Sequence, residues 1–339
     1  MGRMRRVYAG IKYDDKDISL DLQEYLQGIS LVDNLCGSLD DVDIRLRNDN
    51  LRFLNSEWAL KTKRKLEICI ITENWENMYE GRKKLNCGVF YIDERGFSNT
   101  NISIKGVSAP IGNIRDQKNS KYWENMTLKG LGEALAKKHN LAYQYIGESI
   151  PLIGIDQEKE SDLEFLNRIV EDEGMSLKLT FNKIVIFDKD ILEKKEAVRI
   201  FNLKGDELDS SWSLKERTKG IYDICELNYY DTNTGIEENI VVDRNGKEAD
   251  VEKYNEEKIL KINSRGFGMD LLNYAKKRLK VANQGEVEFN FSLIGDISLM
   301  CGQTFMLVNA GIFNGKYMIK KVSKSLVPFK NTVESYKIN

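Results

Sequence analysis

Gln157-Glu-Lys-Glu-Ser-Asp-Leu-Glu-Phe-Leu-Asn-Arg-Ile-Val-Glu-Asp-Glu-Gly174 is the stretch on which the fold turns. Ser161-Asp-Leu-Glu164 has the form of a capping box: a serine, then a glutamate three residues on. Each side chain can satisfy a backbone N–H that a helix start leaves unpaired. Leu163, Leu166, Ile169 and Val170 recur at helical spacing and make one apolar side. Asp162 and Glu164 fall in the first turn, where the helix dipole favours negative charge. Gly174 stands where a left-handed cap is wanted. Residues 177–181 and 183–187 then read as two strands joined through Asn182. One residue is too few for a hairpin turn, so part of each run is expected to enter it.

Upstream, Thr127 can cap a helix running to about Lys138, with Leu128, Leu131 and Leu135 on one stripe and Asn140 as its stop. Residues 1 to about 108 change period. Val42, Ile44 and Leu46 face one way while Asp43, Arg45 and Arg47 face the other, which is a strand with one wet face. Residues 29–33, 66–71, 88–93 and 101–106 are further strand candidates, and their spacing suggests a small sandwich or barrel. Strands return from about 199: residues 221–230, 238–242, 286–291, 304–308, 317–322 and 332–338. Among them lie a turn at Asp243-Arg-Asn-Gly246, a highly charged stretch at 248–258 and a helix over 269–281 with Leu272, Ala275 and Leu279 on one side. No short-period repeat is visible. Two β-domains around an α/β segment fit the order, and duplicated folds with drifted sequences would produce it.

The totals describe a folded chain. Of 339 residues, 41% are hydrophobic and 31% charged, enough for two or three cores. The 51 basic and 53 acidic residues leave a formal net charge of -2, which gives no reason to expect a nucleic-acid ligand. The basic start Met1-Gly-Arg-Met-Arg-Arg6 lacks the apolar core of a signal peptide, and apolar runs such as 68–71 are too short to span a membrane. Synthesis and folding in a cytoplasm are expected. Cys36, Cys69, Cys87, Cys225 and Cys301 are scattered and read as free, partly buried thiols. With His139 the sole histidine, no structural zinc or other metal is expected.

Sites for chemistry are missing. Gly130-x-Gly132 lies inside a helical stripe and lacks a third glycine, and no phosphate-binding loop is present. Cys36-Gly-Ser38 reads as a turn rather than a thiol nucleophile. His139 reads as a surface residue or a favourable cation at a helix end. Asp40-Asp41, Asp156, Glu158, Glu160 and Asp162 supply carboxylates, but 53 acidic residues produce such pairs by chance. Lys61-Thr-Lys-Arg-Lys65 and Lys276-Lys-Arg278 read as solvated faces. Trp58, Trp75, Trp123 and Trp212 are isolated and read as core or interface anchors. Neither catalytic residues nor a cofactor are expected.

The 157–174 segment with its hairpin resembles the late control protein D family of phage tails, and the hub part of type VI secretion spike proteins. The matching positions are Gln157, Glu160-Ser161-Asp162, Phe165-Leu166, Glu173-Gly174 and Phe187-Asp188, with Glu164 completing the cap. Residues 27–33, 39–47, 88–93, 123–141, Gly302, 314–319 and Val322 are similar to its other parts. Lys324 departs from it, standing where relatives often carry histidine, at a structural position.

The resemblance implies a gene-27-like baseplate hub of a contractile tail, mainly β with an α/β insertion. Two tube-like antiparallel β-barrel domains, 1–108 and 201–339, would flank a helix-containing middle domain at 109–200. The second barrel would carry the charged segment and a helix at about 265–282. Three subunits would form a pseudo-sixfold collar joining a threefold central spike to a sixfold tail tube. The lumen would pass tape measure or cargo. Expected partners are two more copies, a separate spike protein, the tube or its initiator, the tape measure and baseplate wedge proteins. Nucleic-acid specificity and a membrane-spanning segment are not expected. The expected setting is a particle assembled in a bacterial cytoplasm: a phage, a defective prophage or a headless tail-like bacteriocin. The alternative is a tail-associated accessory that binds or hydrolyses cell wall.

Overall fold

The computed structural model describes residues 4–338 except 57, 59, 111, 113, 209, 210, 231–234 and 266–269. The chain opens with β1 (Arg6–Tyr13), β2 (Lys16–Asp17), α1 (Ser19–Gln23), β3 (Leu26–Asn34), β4 (Asp41–Arg47), β5 (Lys65–Glu73), β6 (Arg82–Phe97) and β7 (Asn101–Val107). The middle section holds β8 (Lys118–Thr127), α2 (Leu128–Lys138), β9 (Ala142–Ile146), β10 (Pro151–Ser161), α3 (Asp162–Asp172), β11 (Ser176–Thr180), β12 (Lys183–Phe187) and α4 (Lys189–Glu193). It continues as β13 (Arg199–Asn202), β14 (Ser213–Glu216), β15 (Ile224–Tyr230), β16 (Glu237–Asp243), β17 (Ile259–Arg265) and α5 (Leu271–Ala282). The last strands are β18 (Val287–Ile294), β19 (Thr304–Val308), β20 (Gly315–Leu326) and β21 (Phe329–Lys337). Asp270 sets the start of α5 by accepting from the Asn273 N–H. Of the helix expected at about 265–282, residue 265 belongs to β17 and 266–269 lie outside the described residues.

One large sheet joins both ends of the chain. Its order is β14-β18-β21-β20-β3-β4-β7-β6-β5-β1-β2, with β19 and then β13 branching from β20. The path contains the same arrangement twice. In the first half it runs β3-β4-β7-β6-β5-β1, and in the second β14-β18-β21-β20-β19-β13. Matched in chain order, the two are identical strand for strand. One irregularity corresponds as well: β6 shifts register against β7 between Ile92 and Glu94, and β20 against β21 between Ile319 and Lys321. The halves differ in that β1 pairs with β5 antiparallel whereas β13 pairs with β19 parallel, and in that the shifts in β3–β4 at Leu26/Gly28 and in β5–β6 at Ile68/Cys69 have no counterpart in β14–β18 or β19–β20.

The mainly β class with a helix-containing middle holds, but no pairing among the described residues closes either half into a barrel. Instead β3 pairs with β20 over five residue pairs, from Asn34 opposite Lys321 to Ser30 opposite Ser325, and fuses the halves. Each half has its own core. The first is aliphatic, built on Ile29, Ile44, Ile68, Ile70, Ile92 and Ile104. The second is aromatic, built on Phe201, Phe289, Phe291, Phe305 and Tyr317. Leu326 and Phe329, at the tip of the β20–β21 hairpin, belong to the first core rather than the second. Phe329 meets Trp75 at a ring separation of 5.1 Å, and the Trp75 indole N–H donates to the Gly295 carbonyl at 2.6 Å.

Two smaller layers complete the molecule. Helices α2 and α3 share a core with the β11-β12-β9 sheet. Gly132 lets α2 approach closely, since a Cβ there would lie 2.6 Å from the Tyr143 hydroxyl and 2.7 Å from Ile186 Cδ1. That packing explains the lone Gly-x-Gly. The β11–β12 turn takes Phe181 as well as Asn182, both at positive φ, giving the two-residue hairpin that the spacing required. Between β14 and β18 in the chain, α5 packs on a separate sheet, β16-β15-β17.

Because Phe329 ties the second half into the first core, Phe329→Ala is expected to cost about 3–5 kcal/mol. Denaturant unfolding measures the loss, and a changed Trp75 emission in the folded variant would report it locally.

Candidate functional site

The residues singled out in the 157–188 stretch converge on two polar joints. At the start of α3 the capping box is complete: the Ser161 hydroxyl accepts from the Glu164 N–H at 3.2 Å, and the Glu164 carboxylate from the Ser161 N–H at 2.9 Å. Asp162 does more than complement the dipole. It is 1% exposed, and its carboxylate accepts from Gln157 Nε2 at 2.9 Å, Asn119 Nδ2 at 3.0 Å and Lys138 Nζ at 2.6 Å, with His139 Nε2 at 2.7 Å. The bulge in the β8–β10 ribbon between Gln157 and Glu160 turns Gln157 toward it. Burial opposes ionisation of Asp162, but the hydrogen bonds from Gln157, Lys138 and His139 outweigh it and hold the carboxyl at about 2.

His139 is therefore not a surface residue. It occupies the C-cap of α2 with its side chain buried against Asp162, tying α2 to α3. Trp123 donates from its indole to Gln157 Oε1 at 3.3 Å and stacks on Phe165 at 6.0 Å. Leu166 fills the same core. Glu160 lies outside this cluster and holds Arg168 at 2.7 Å.

The rest of the stretch forms the seat of α5. Gly174, at φ +67, lies close against α5: a Cβ there would stand 3.1 Å from Lys277 Cβ, a tight contact at a backbone conformation that side chains rarely adopt. Asp188 caps α4 by accepting from the Asp190 N–H at 2.9 Å and pairs with Lys277 at 2.8 Å. Lys280 reaches Asp190 and Glu193, each at 2.5 Å. Glu173 is buried here with Oε2 lacking a hydrogen-bond partner among the described residues. Burial, then the charge of Asp172, push its carboxyl up to about 7 against Arg278 and Lys277. Phe187 packs with Leu35, Met318 and Tyr336, joining the middle section to both halves of the large sheet.

A second polar cluster went unread in the sequence. Lys178 projects from β11 toward the turn after β3, where its ammonium donates to Asp33 Oδ1 at 2.6 Å and Asp40 Oδ1 at 2.9 Å, and to the Asn34 carbonyl. The Cys301 thiol donates to the same Asp33 at 2.8 Å. Strand β3 of the first half, the turn carrying Cys301 in the second and the middle hairpin thus meet in a single cluster. Burial opposes the charge on Lys178, yet the surrounding Cys301, Asp33 and Asp40 raise its pKa. Asp33 is lowered, because Lys178 and Cys301 outweigh burial, while burial raises Asp40. Burial and the neighbouring Asp33 raise the Cys301 thiol well above its ordinary range. The available signal was alternation: Lys178 lies between Leu177 and Leu179, which face the middle core, so it must face away from that core. A cavity of about 440 Å³ adjoins the cluster. At its wall, buried Lys324 donates to the carbonyls of Asp296 at 2.9 Å and Leu299 at 2.6 Å, with its pKa lowered by burial to about 8.

Among the described residues no group of three or more His, Cys, Asp or Glu side chains is placed to hold a metal ion. Among them, too, no helix is long and apolar enough to cross a membrane. The five cysteines are free, with Cys225 buried. Trp58 packs edge-on to Tyr25 and Phe53, whereas Trp212 is 42% exposed.

Solved structures share this architecture over nearly the whole chain. A tail protein from Neisseria meningitidis superposes with a TM-score of 0.70, covering 98% of this chain and 96% of that one at 10% identity. The chain shares the fold of that tail protein. A prophage tail protein from Shewanella oneidensis matches with a TM-score of 0.67 over 98% of both chains, at 12% identity. An Escherichia coli component of the type VI secretion system matches with a TM-score of 0.58, covering 93% of this chain and 74% of that one at 11% identity. In sequence, the chain is similar to proteins named probable baseplate hub protein in Escherichia phages 186 and P2. The identities are 25% over 177 residues and 27% over 181, about half of this chain in each case. The match spans 42% and 43% of those relatives' own lengths. No family model matches.

Two measurements test the joints. Asp162→Asn is expected to cost about 3 kcal/mol at neutral pH, followed by urea unfolding with Trp123 emission, because Lys138 and His139 lose a charged acceptor. The lowered carboxyl contributes stability that is fully present above about pH 4 and lost as pH falls through about 2. The gap between variant and wild type must therefore narrow in that window, and a constant gap would contradict the assignment. Lys178→Met is expected to cost about 3–5 kcal/mol by leaving Asp33 and Asp40 without their cation, with part of the loss recovered by adding Asp40→Asn.

Proposed function

We propose that the chain is a structural hub subunit of the baseplate in a phage or phage-like tail, assembled in a bacterial cytoplasm and acting by assembly rather than catalysis. The observation that carries this reading is the duplicated topology fused into one sheet. A ring of three such subunits presents six similar half-units around one axis. That geometry matches a threefold spike on one side to a sixfold tube on the other. In this reading residues 1–108 and 201–339 are the two ring-forming domains and 109–200 the middle domain. The core of the middle, from Gln157 to Asp188, holds the layers in their relative positions.

The sheet also supplies a wall. One face is covered by the cores, and the other is polar in register across six strands. Lys330, Ser325, Ser30, Asp43, Lys105 and Glu94 stand opposite one another in turn on β21, β20, β3, β4, β7 and β6. Its charges pair locally: Arg45 with Asp43 at 3.3 Å, Lys105 with Glu94 at 3.1 Å and Lys321 with Glu334 at 3.2 Å. Such a neutralised face suits the lumen through which a tape measure and later a cargo pass. The sequence likeness to the two probable hub proteins supports the same role, with the spike, tube, tape measure and wedge proteins as partners.

Light scattering of the purified chain, alone and with the spike protein encoded beside it, tests the reading. A mass of three chains, or one reached on adding the spike, is expected. A one-chain mass under both conditions would overturn it.

A further inference from the structure

The join between the halves inside one chain predicts the join between chains. In the first half Leu31, Val42, Gly106 and Ile92 lie opposite one another across β3, β4, β7 and β6. In the second half the corresponding row is Leu214, Phe289, Ser335 and Ile319 across β14, β18, β21 and β20. This fixes the equivalence residue by residue: β14 stands for β3, and the part of β6 beyond its bulge stands for the part of β20 that receives β3. Within the chain that site is filled. Its counterpart is not: among the described residues β14 pairs only with β18, and residues 94–97 of β6 pair only with β7. Both are open sheet edges, which a folded protein must cover or charge.

We propose that β14 of one copy pairs antiparallel with the end of β6 of the next, repeating the β3–β20 contact between subunits. The partner is a second copy of this chain, and the proposal deepens the hub reading and rests on it. The register follows from the equivalence. Where Asn34 faces Lys321, Asp33 faces Val322 and Leu31 faces Lys324 inside the chain, Arg217 faces Glu94, Glu216 faces Arg95 and Leu214 faces Phe97 between chains. Two opposite-charge pairs and one apolar pair emerge from a register set by topology alone, without any choice of residues. Directly opposed pairs of these types are the ones that stabilise antiparallel strands.

The free chain shows the corresponding needs. Arg95 has its Nε buried without a hydrogen-bond partner among the described residues, Phe97 is 43% exposed, and Glu216 is exposed. The two edges belong to different strands, so the contact is head to tail, and when it closes it forms a ring. With three copies, six half-to-half contacts alternate around it, three within chains and three between.

Charge reversal tests the register in the full chain. Arg95→Glu and Glu216→Arg are each expected to raise the concentration needed for assembly at least about tenfold, since each sets like charges face to face. The double variant Arg95→Glu/Glu216→Arg is expected to restore the wild-type mass. As a measurement that does not depend on charge or on weakened assembly, Glu94→Cys chains mixed with Arg217→Cys chains are expected to give a two-chain disulfide band on oxidation. Neither variant alone should give it. A wild type of three chains whose mass ignores both single reversals, with no cross-link in the mixture, would overturn this interface and leave the hub reading standing. A wild type that stays a single chain even with the spike would overturn both.

Discussion

Five residue pairs between β3 and β20 decide the shape of this molecule. Without them the chain would be two half-sheets, each burying one face and leaving edges open to any passing strand. With them the halves share one continuous path, so the position of each is set by backbone hydrogen bonds rather than by a linker. The contact lies beside the Lys178 cluster, where Asp33 from β3 accepts from the ammonium and from Cys301. The middle hairpin therefore clamps the same joint. The Leu326–Phe329 hairpin tip clamps it again by entering the first core. Removing any one clamp leaves buried charge or a cavity, and each is costly.

The polar joints share a logic. Asp162 and Lys178 are buried ions, and a buried ion is tolerable only when its partners are fixed and its lone pairs or protons are used. Asp162 draws donors from β8, β10 and α2 and the residue that caps it, while Lys178 draws acceptors from the segment spanning Asp33 to Asp40. Each locks elements that are distant in sequence into one arrangement. Glu173 differs: its buried carboxyl is incompletely paired and titrates near neutrality, beside the seat of α5.

The two halves share their topology but not their core residues. Ile44 in β4 corresponds to Phe291 in β18, Val42 to Phe289, and Ile104 to Val333. An isoleucine-rich interior became a stacked aromatic one, with Phe289 and Phe291 rings 4.9 Å apart. Cores tolerate wholesale replacement of apolar residues when volume and pattern are kept. Strand order and bulge position are held instead by backbone hydrogen bonding, which does not depend on side-chain identity.

Local order was legible in the residues themselves. The capping box at Ser161, the stripe of α3, the Gly174 stop, the alternation of β4 and the two-residue turn at Phe181 and Asn182 all arise from interactions within a few positions, and periodicity records such interactions. The likeness to phage tail hubs was legible too, because it rests on a short run of such residues. What tertiary structure alone decided was pairing. A period of two identifies a strand but not its neighbour, so neither the β3–β20 joint, nor the open edges that replace the expected closed barrels, nor the meeting of His139 with Asp162 followed from spacing. Those contacts link residues from 23 to nearly 300 positions apart, and their partners are chosen by the packing of the whole chain.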